Sequence, residues 1–287
     1  MVGVFSRSWQ ITKLTFSVIK KDKKLLLIPI LSSIFSVIFV LALIFPTIFL
    51  YGFAGGEFET DIITYSILFV IYFGLAFIST FFNVSAVYII KGRFEKKPVS
   101  ILGAFKFSFS KIHLIFLWSL ISAIVGILLR LLEALAKRIG GAGGLVINMI
   151  KGLLGFAWSI ATIFVIPILV YKGINPFKAI GESTRVIKKT WGENLVQYFG
   201  FAIMQIIFIV IGIGLTILSL VLFGAYGMGV ILTILTLAVI YITLVILIFS
   251  VANTIYDTAL FVYADTGNIP SDFNKEVITH AFEKENT

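Results

Sequence analysis

The chain predicts an all-α, polytopic membrane fold of about six spans, and three observations carry that class. Of its 287 residues 59% are apolar and 13% charged, against roughly 45–50% and about 25% in soluble domains. Mean hydropathy is +1.08, and the apolar residues fall in runs longer than the roughly 18–20 needed to cross a bilayer. The basic residues behind the net charge of +9 collect in alternate loops, as the positive-inside rule requires. The chain contains no cysteine, which excludes disulfides, thiolate metal sites and cysteine nucleophiles.

Residues 1–24 place Phe5, Trp9, Thr12, Phe16 and Ile19 three or four apart among Arg7, Lys13, Lys20, Lys21, Lys23 and Lys24. That spacing predicts an amphipathic basic helix at the membrane surface. The segment lacks the short apolar core and small-residue cleavage site of a signal peptide. The first span runs over Leu25–Leu50, with Pro29 and Pro46 near its ends, where a ring clash does least damage. An acidic loop follows over 51–61 with Glu57, Glu59 and Asp61. The second span, Ile62–Ile90, measures about 43 Å at ~1.5 Å per residue, so it tilts or projects from a hydrocarbon layer about 30 Å thick.

Residues 91–111 are basic, and Pro98 introduces a second amphipathic segment with Leu102, Phe105, Phe109 and Ile112 on its stripe. Span three covers Ile112–Leu132, the glycines at 140–144 turn the chain, and span four covers Met149–Tyr171. A third amphipathic helix then starts at an Asn175 cap with Pro176 in its first turn. Its apolar stripe reads Phe177, Ile180, Thr184, Ile187 and Trp191, and Glu182 stands at ion-pair spacing from Lys178 and Arg185. Span five is Leu195–Phe223, residues 224–229 make an uncharged turn, and span six is Val230–Ala252, its helix continuing through Tyr263. Pro270 opens a fourth, more polar helix with Phe273, Val277 and Ala281.

With six spans, segments 1–24, 91–111 and 172–194 share one side, and they hold most of the Lys and Arg. This predicts a multi-pass protein of the cell (plasma) membrane with cytoplasmic N- and C-termini. The hairpin between spans three and four is the exception, carrying Arg130, Lys137, Arg138 and Lys151 on the opposite side. Residues 1–265 read as one membrane-embedded domain, followed by a cytoplasmic tail at 266–287. The domain divides into three units of amphipathic helix, span and span, at 1–95, 96–174 and 175–265. The joints YIIKGRFEKKPV, LVYKGINPF and FVYADTGNIPSDF match only loosely. A true triplication and a plain series of hairpins with basic loops both account for them.

The stretches FFNVSAVYIIKG (81–92), LLRLLEAL (128–135) and WSIATIFVIPILVYKGINPFKAI with the following TRVIKKTWGENL resemble an uncharacterised family of prokaryotic six-span membrane proteins, a domain of unknown function. The resemblance covers about residues 1–265 and implies a fold and a prokaryotic origin, with no catalytic residues. More distantly, the layout looks like the membrane domain attached to some glycerophosphoryl diester phosphodiesterases. The soluble catalytic domain of those enzymes has no counterpart in these residues, so their activity is not implied.

The chemistry-bearing residues are few. Arg130, Glu133 and Lys137 share a helix face at i, i+3 and i+7, and Lys151 stands on the next helix. They read either as a charged vestibule or as a solvated, ion-paired helix end. Asn83 and Asp257 each lie eight residues before an exit position, Lys91 and Asp265. An intramembrane polar group is a candidate for a pathway lining, whereas an amide there also serves to join helices, and Asp257 falls near the interface. Tyr256-Asp257 lacks the second aspartate of an intramembrane aspartyl protease, because Gly212-Ile213-Gly214 is followed by Leu215. One carboxylate makes no proton-sharing dyad. The glycines at 140–144 lack a phosphate-loop ending, and His113 and His280 are isolated, so no metal site, cofactor or enzyme is expected.

The expectation is a non-enzymatic integral membrane protein, channel- or transporter-like, with a pathway between hairpins or on the axis of a homo-oligomer. The alternative is a lipid-binding or membrane-organising scaffold. Lys178, Arg185, Lys188 and Lys189 would then hold anionic lipids of the cytoplasmic leaflet, each cation contributing about 1 kcal/mol. Topology explains the basic charge without nucleic acid as a partner.

Overall fold

The computed structural model describes residues 15–54, 62–191, 195–270 and 272–273. Among them there is no strand, and the fold is all-α. The helices are α1 (Lys24–Ala54), α2 (Ile62–Phe94), α3 (Ile101–Ser110), α4 (Ile112–Ile139), α5 (Gly141–Thr162), α6 (Val165–Lys172), α7 (Pro176–Trp191), α8 (Leu195–Phe223) and α9 (Met228–Thr266). Six segments are long and apolar enough to cross a membrane, in the order the hydropathy predicts. The chain is a multi-pass integral membrane protein.

Two compact units divide the chain, one of residues 1–29 with 188–287 and one of residues 30–187. In the second unit α2 is central and packs against α3, α4 and α6, while α4 and α5 form a hairpin. Its core gathers where α2, α4 and α6 meet, around Val84, Val87, Ile115 and Val170, flanked by Phe77, Phe81, Phe107 and Tyr171. Tyr88 stacks on Phe107 at 3.9 Å, and Phe81 meets Phe109 edge-on at 4.9 Å. Trp118 and Trp158 stack across the α4/α5 hairpin at 5.8 Å. Elsewhere the long helices turn large apolar side chains outward, among them Phe35, Leu128, Leu153 and Phe156. Aqueous surfaces do not carry apolar patches of this extent; acyl chains cover them in a membrane.

In the other unit α8 and α9 form a hairpin. Tyr241 of α9 donates its hydroxyl to the Phe208 carbonyl of α8 at 3.0 Å, and its ring lies where a Cβ on Gly212 would sit. Residues 15–21 are helical, with Thr15, Val18 and Ile19 buried. Phe16 meets Phe249 edge-on at 5.9 Å, and Lys21 pairs with Asp272 at 3.2 Å.

Several boundaries differ from the sequence reading. Span four is two helices, because Pro167 has no N–H to offer the Ile163 carbonyl, and the chain turns through Ile163 and Phe164 before α6 begins. The hairpin turn is Gly140 alone; Gly141–Gly144 already belong to α5. There Gly144 lies against the Ala136 carbonyl, an approach that any Cβ would block. Helix α3 starts at Ile101, three residues after Pro98, and is capped by Ser100, whose hydroxyl accepts the Gly103 N–H at 3.0 Å. Ile112 falls in the next helix. Span six continues unbroken to Thr266, where Gly267 takes the left-handed conformation. The acidic loop at 55–61, the helix over residues 1–14 and the helix carrying Val277 and Ala281 lie outside the described residues.

Candidate functional site

Two places concentrate polar chemistry in the second unit. The first is the α4/α5 hairpin. Helical spacing puts Arg130, Glu133 and Lys137 on one face of α4, and the close approach at Gly144 brings α5 alongside. Glu133 Oε1 lies 2.9 Å from Lys137 Nζ, and Oε2 lies 3.0 Å from Lys151 Nζ. Arg130 Nη1 stands 3.7 Å from Oε1. Three cations thus converge on one carboxylate whose two oxygens are both engaged. Arg130 and Lys137 remain largely exposed, at 60% and 72% of their side chains. Arg130 follows Ile112 by 18 residues, about 27 Å along the helix, so the cluster falls where a hydrocarbon layer of about 30 Å ends.

The second place is the opposite end of α4, where α3 and α7 lie. Helix α7 starts at Asn175, whose Oδ1 accepts the Phe177 N–H at 2.9 Å, and Gly173 ends α6 in the left-handed conformation just before it. Glu182 accepts from Lys172 at 2.9 Å and from Arg185 at 2.8 Å. The hydrogen bond from Lys172 is the chief reason its carboxyl stays below the usual carboxylate range; burial opposes it, and the charges of Lys172 and Arg185 add smaller lowering effects. Lys178, Arg185 and Lys188 are exposed; the side chain of Lys189 lies outside the described residues.

The buried flank of α7 overlaps the apolar stripe only in part, sharing Ile187 with it. Pro176, Ala179, Ser183, Val186 and Ile187 are buried, whereas Phe177 is 63% exposed. In α3, likewise, Ala104 and Ser108 are buried while Leu102 and Phe109 are 78% and 62% exposed. Small residues let helices approach closely, and each short helix sets Ala and Ser on its packed side while Leu102 and Phe177 stay outward. Two buried serines tie these helices down, and neither stood out in the sequence. Ser108 Oγ lies 2.7 Å from Ser85 Oγ of α2, and Ser183 Oγ accepts the Phe164 N–H at the break in span four, at 3.2 Å. Ala-x-x-x-Ser recurs in both helices, the one signal that could have marked them.

The remaining candidates stand apart from these clusters. Asn83 is half-buried on α2, and its Nδ2 reaches Ser79 Oγ of the same helix at 3.4 Å. Asp257 belongs to the other unit, half-buried between Tyr256 and Thr258 on α9. It follows Met228 by 29 residues, about 44 Å of helix, beyond one hydrocarbon thickness. Among the described residues no three His, Cys, Asp or Glu side chains gather as a metal site would need.

A family described as a family of unknown function matches residues 62–271. No curated protein and no solved structure matches the chain. The likeness of layout to the membrane domain of glycerophosphoryl diester phosphodiesterases is not shown by these comparisons.

Proposed function

The chain belongs to that family, DUF6159, and we propose that it is a non-enzymatic scaffold of the plasma membrane that gathers anionic lipids. The carrying observation is the combination on α7 and α3. Exposed apolar side chains (Leu102, Phe109, Phe177) stand beside exposed cations (Lys106, Lys178, Arg185, Lys188) on helices whose other flank is already packed. Amphipathic helices of this composition lie at an interface, and cations near an anionic leaflet contribute about 1 kcal/mol each. In this reading α3 and α7 form a cytoplasmic collar and both termini are cytoplasmic.

Native mass spectrometry of protein released from phosphatidylglycerol-rich membranes tests the idea. Retained phosphatidylglycerol should drop when Lys178, Arg185, Lys188 and Lys189 are all changed to Gln. Unchanged retention would remove the proposal.

A second reading, channel- or transporter-like, is favoured by one observation: two exposed cations, Arg130 and Lys137, stand over the engaged carboxylate at the far end of the α4/α5 hairpin. Anion flux into proteoliposomes that Arg130→Glu abolishes would establish it. Flux equal to that of empty vesicles, across ions and small solutes, would exclude it.

A further inference from the structure

We propose that residues 98–113 and 173–188 are two copies of one leaflet-inserting element, and that the second residue after each helix cap, Leu102 and Phe177, enters the acyl region. This rests on the lipid-binding reading above and adds to it where, and how often, the leaflet is gripped.

The two segments superpose in sequence at an offset of 75, and what they share is structural role rather than identity. Position by position, Ser100 matches Asn175, and each accepts a backbone N–H of its own first turn, at 3.0 and 2.9 Å. Ala104 matches Ala179, and Ser108 matches Ser183; all four are fully buried. Each serine makes the tether from the short helix to a span, one to Ser85 and one to the Phe164 N–H. Leu102 matches Phe177, and both are large, apolar and mostly exposed.

A chance likeness of two surface helices would not align cap, small flank, tether and outward residue in one register. The segment at 15–21 resembles only the end of the second copy, 183–189: TFSVIKK beside STRVIKK. Thr15, Val18 and Ile19 are buried, as Ser183, Val186 and Ile187 are.

The occupant follows from geometry and charge. With the Ala and Ser flank packed against the spans, Leu102 and Phe177 point away from protein. Around each helix the neighbouring outward positions are cationic, Lys106 in one and Lys178 and Arg185 in the other. A partner that is apolar inside and anionic at its surface is the lipid leaflet.

Because the chain has no cysteine, single nitroxide labels can be placed without background. Leu102→Cys, Phe177→Cys and, as an aqueous reference in the exposed loop, Lys97→Cys would be labelled in full-length protein in phosphatidylglycerol liposomes. Collision with oxygen would be compared with collision with a water-soluble nickel chelate. The expected result is an oxygen-to-nickel ratio at both 102 and 177 several-fold above that at 97. A raised ratio at only one of them would overturn the two-copy element while leaving lipid gathering intact. Ratios at both sites equal to that at 97, with phosphatidylglycerol retention still dependent on the cations, would overturn insertion and leave binding by charge alone. Equal ratios with charge-independent retention would overturn both proposals.

Discussion

The α4/α5 and α8/α9 hairpins solve one problem in two ways. Each joins two long apolar helices through a short glycine-containing turn. The first closes with Glu133 under Lys137 and Lys151, with the Gly144 backbone against Ala136. The second has no charge at its turn and closes with Tyr241 on the Phe208 carbonyl, its ring filling the space at Gly212. Its end is marked instead by exposed aromatics, Phe223 and Tyr226, 6.4 Å apart. Since a hairpin closes without ions, the charges of the first answer to location. They mark a helix end that meets water, as aromatic residues mark ends held at the headgroup level.

The largest break in this comparison should come from the glycines. Gly144→Leu meets a backbone carbonyl that has no rotamer to change, so it should cost several times more than Gly212→Leu, where the Tyr241 ring can swing away. Overpacking costs about 1–3 kcal/mol or more, and size-exclusion profiles with thermal melts would rank the two. Equal losses would mean that the α4 and α5 backbones do not meet closely.

Next comes Glu133→Gln, which leaves Arg130, Lys137 and Lys151 facing one another. It should lower the melting temperature more than Lys137→Gln or Lys151→Gln does, and added salt should recover part of the loss. A variant as stable as the parent would make the cluster incidental.

Smaller still is Tyr241→Phe, which removes one intramembrane hydrogen bond worth about 0.6 kcal/mol. Ser85→Ala with Ser108→Ala, measured as a double-mutant cycle, should give a coupling of the same order.

The smallest effect is a pH dependence at Glu182. Its carboxyl is held below the ordinary range when folded, so its stabilisation is full above that range and is lost as pH falls through the depressed value. Melting temperature should therefore decline more steeply with acidification below about pH 4 in the parent than in Glu182→Gln. The difference is small because the pairs are near the surface.

How much of this was legible in advance depended on range. The six spans and their order follow from hydropathic length, a local quantity, and so do the shared face of Arg130, Glu133 and Lys137 and the Asn175 cap. The break at 163–164 was hidden because Pro167 sits inside an apolar run that any window averages as one span. The protein-facing flanks of α3 and α7 were not legible because periodicity weights large side chains, whereas close helix contact selects small ones. Here Ala179 and Ser183 won over Phe177. The partners of Ser85 and Phe164 lie 23 and 19 residues away along the chain, and no spacing rule connects them. Asn83 and Asp257 drew attention by polarity alone, which says what a residue costs in lipid but not which neighbour it meets.

The bond from the Phe164 amide to Ser183 has a mechanical consequence. A peptide group freed by the bend in span four is silenced by a side chain that belongs to a different helix. Peeling α7 from its seat would therefore take away the bond between that buried amide and Ser183, worth about 0.5–1.5 kcal/mol. Straightening the bend would equally withdraw the anchor from α7. The two motions are latched, and hydrogen exchange at Phe164 would time both at once.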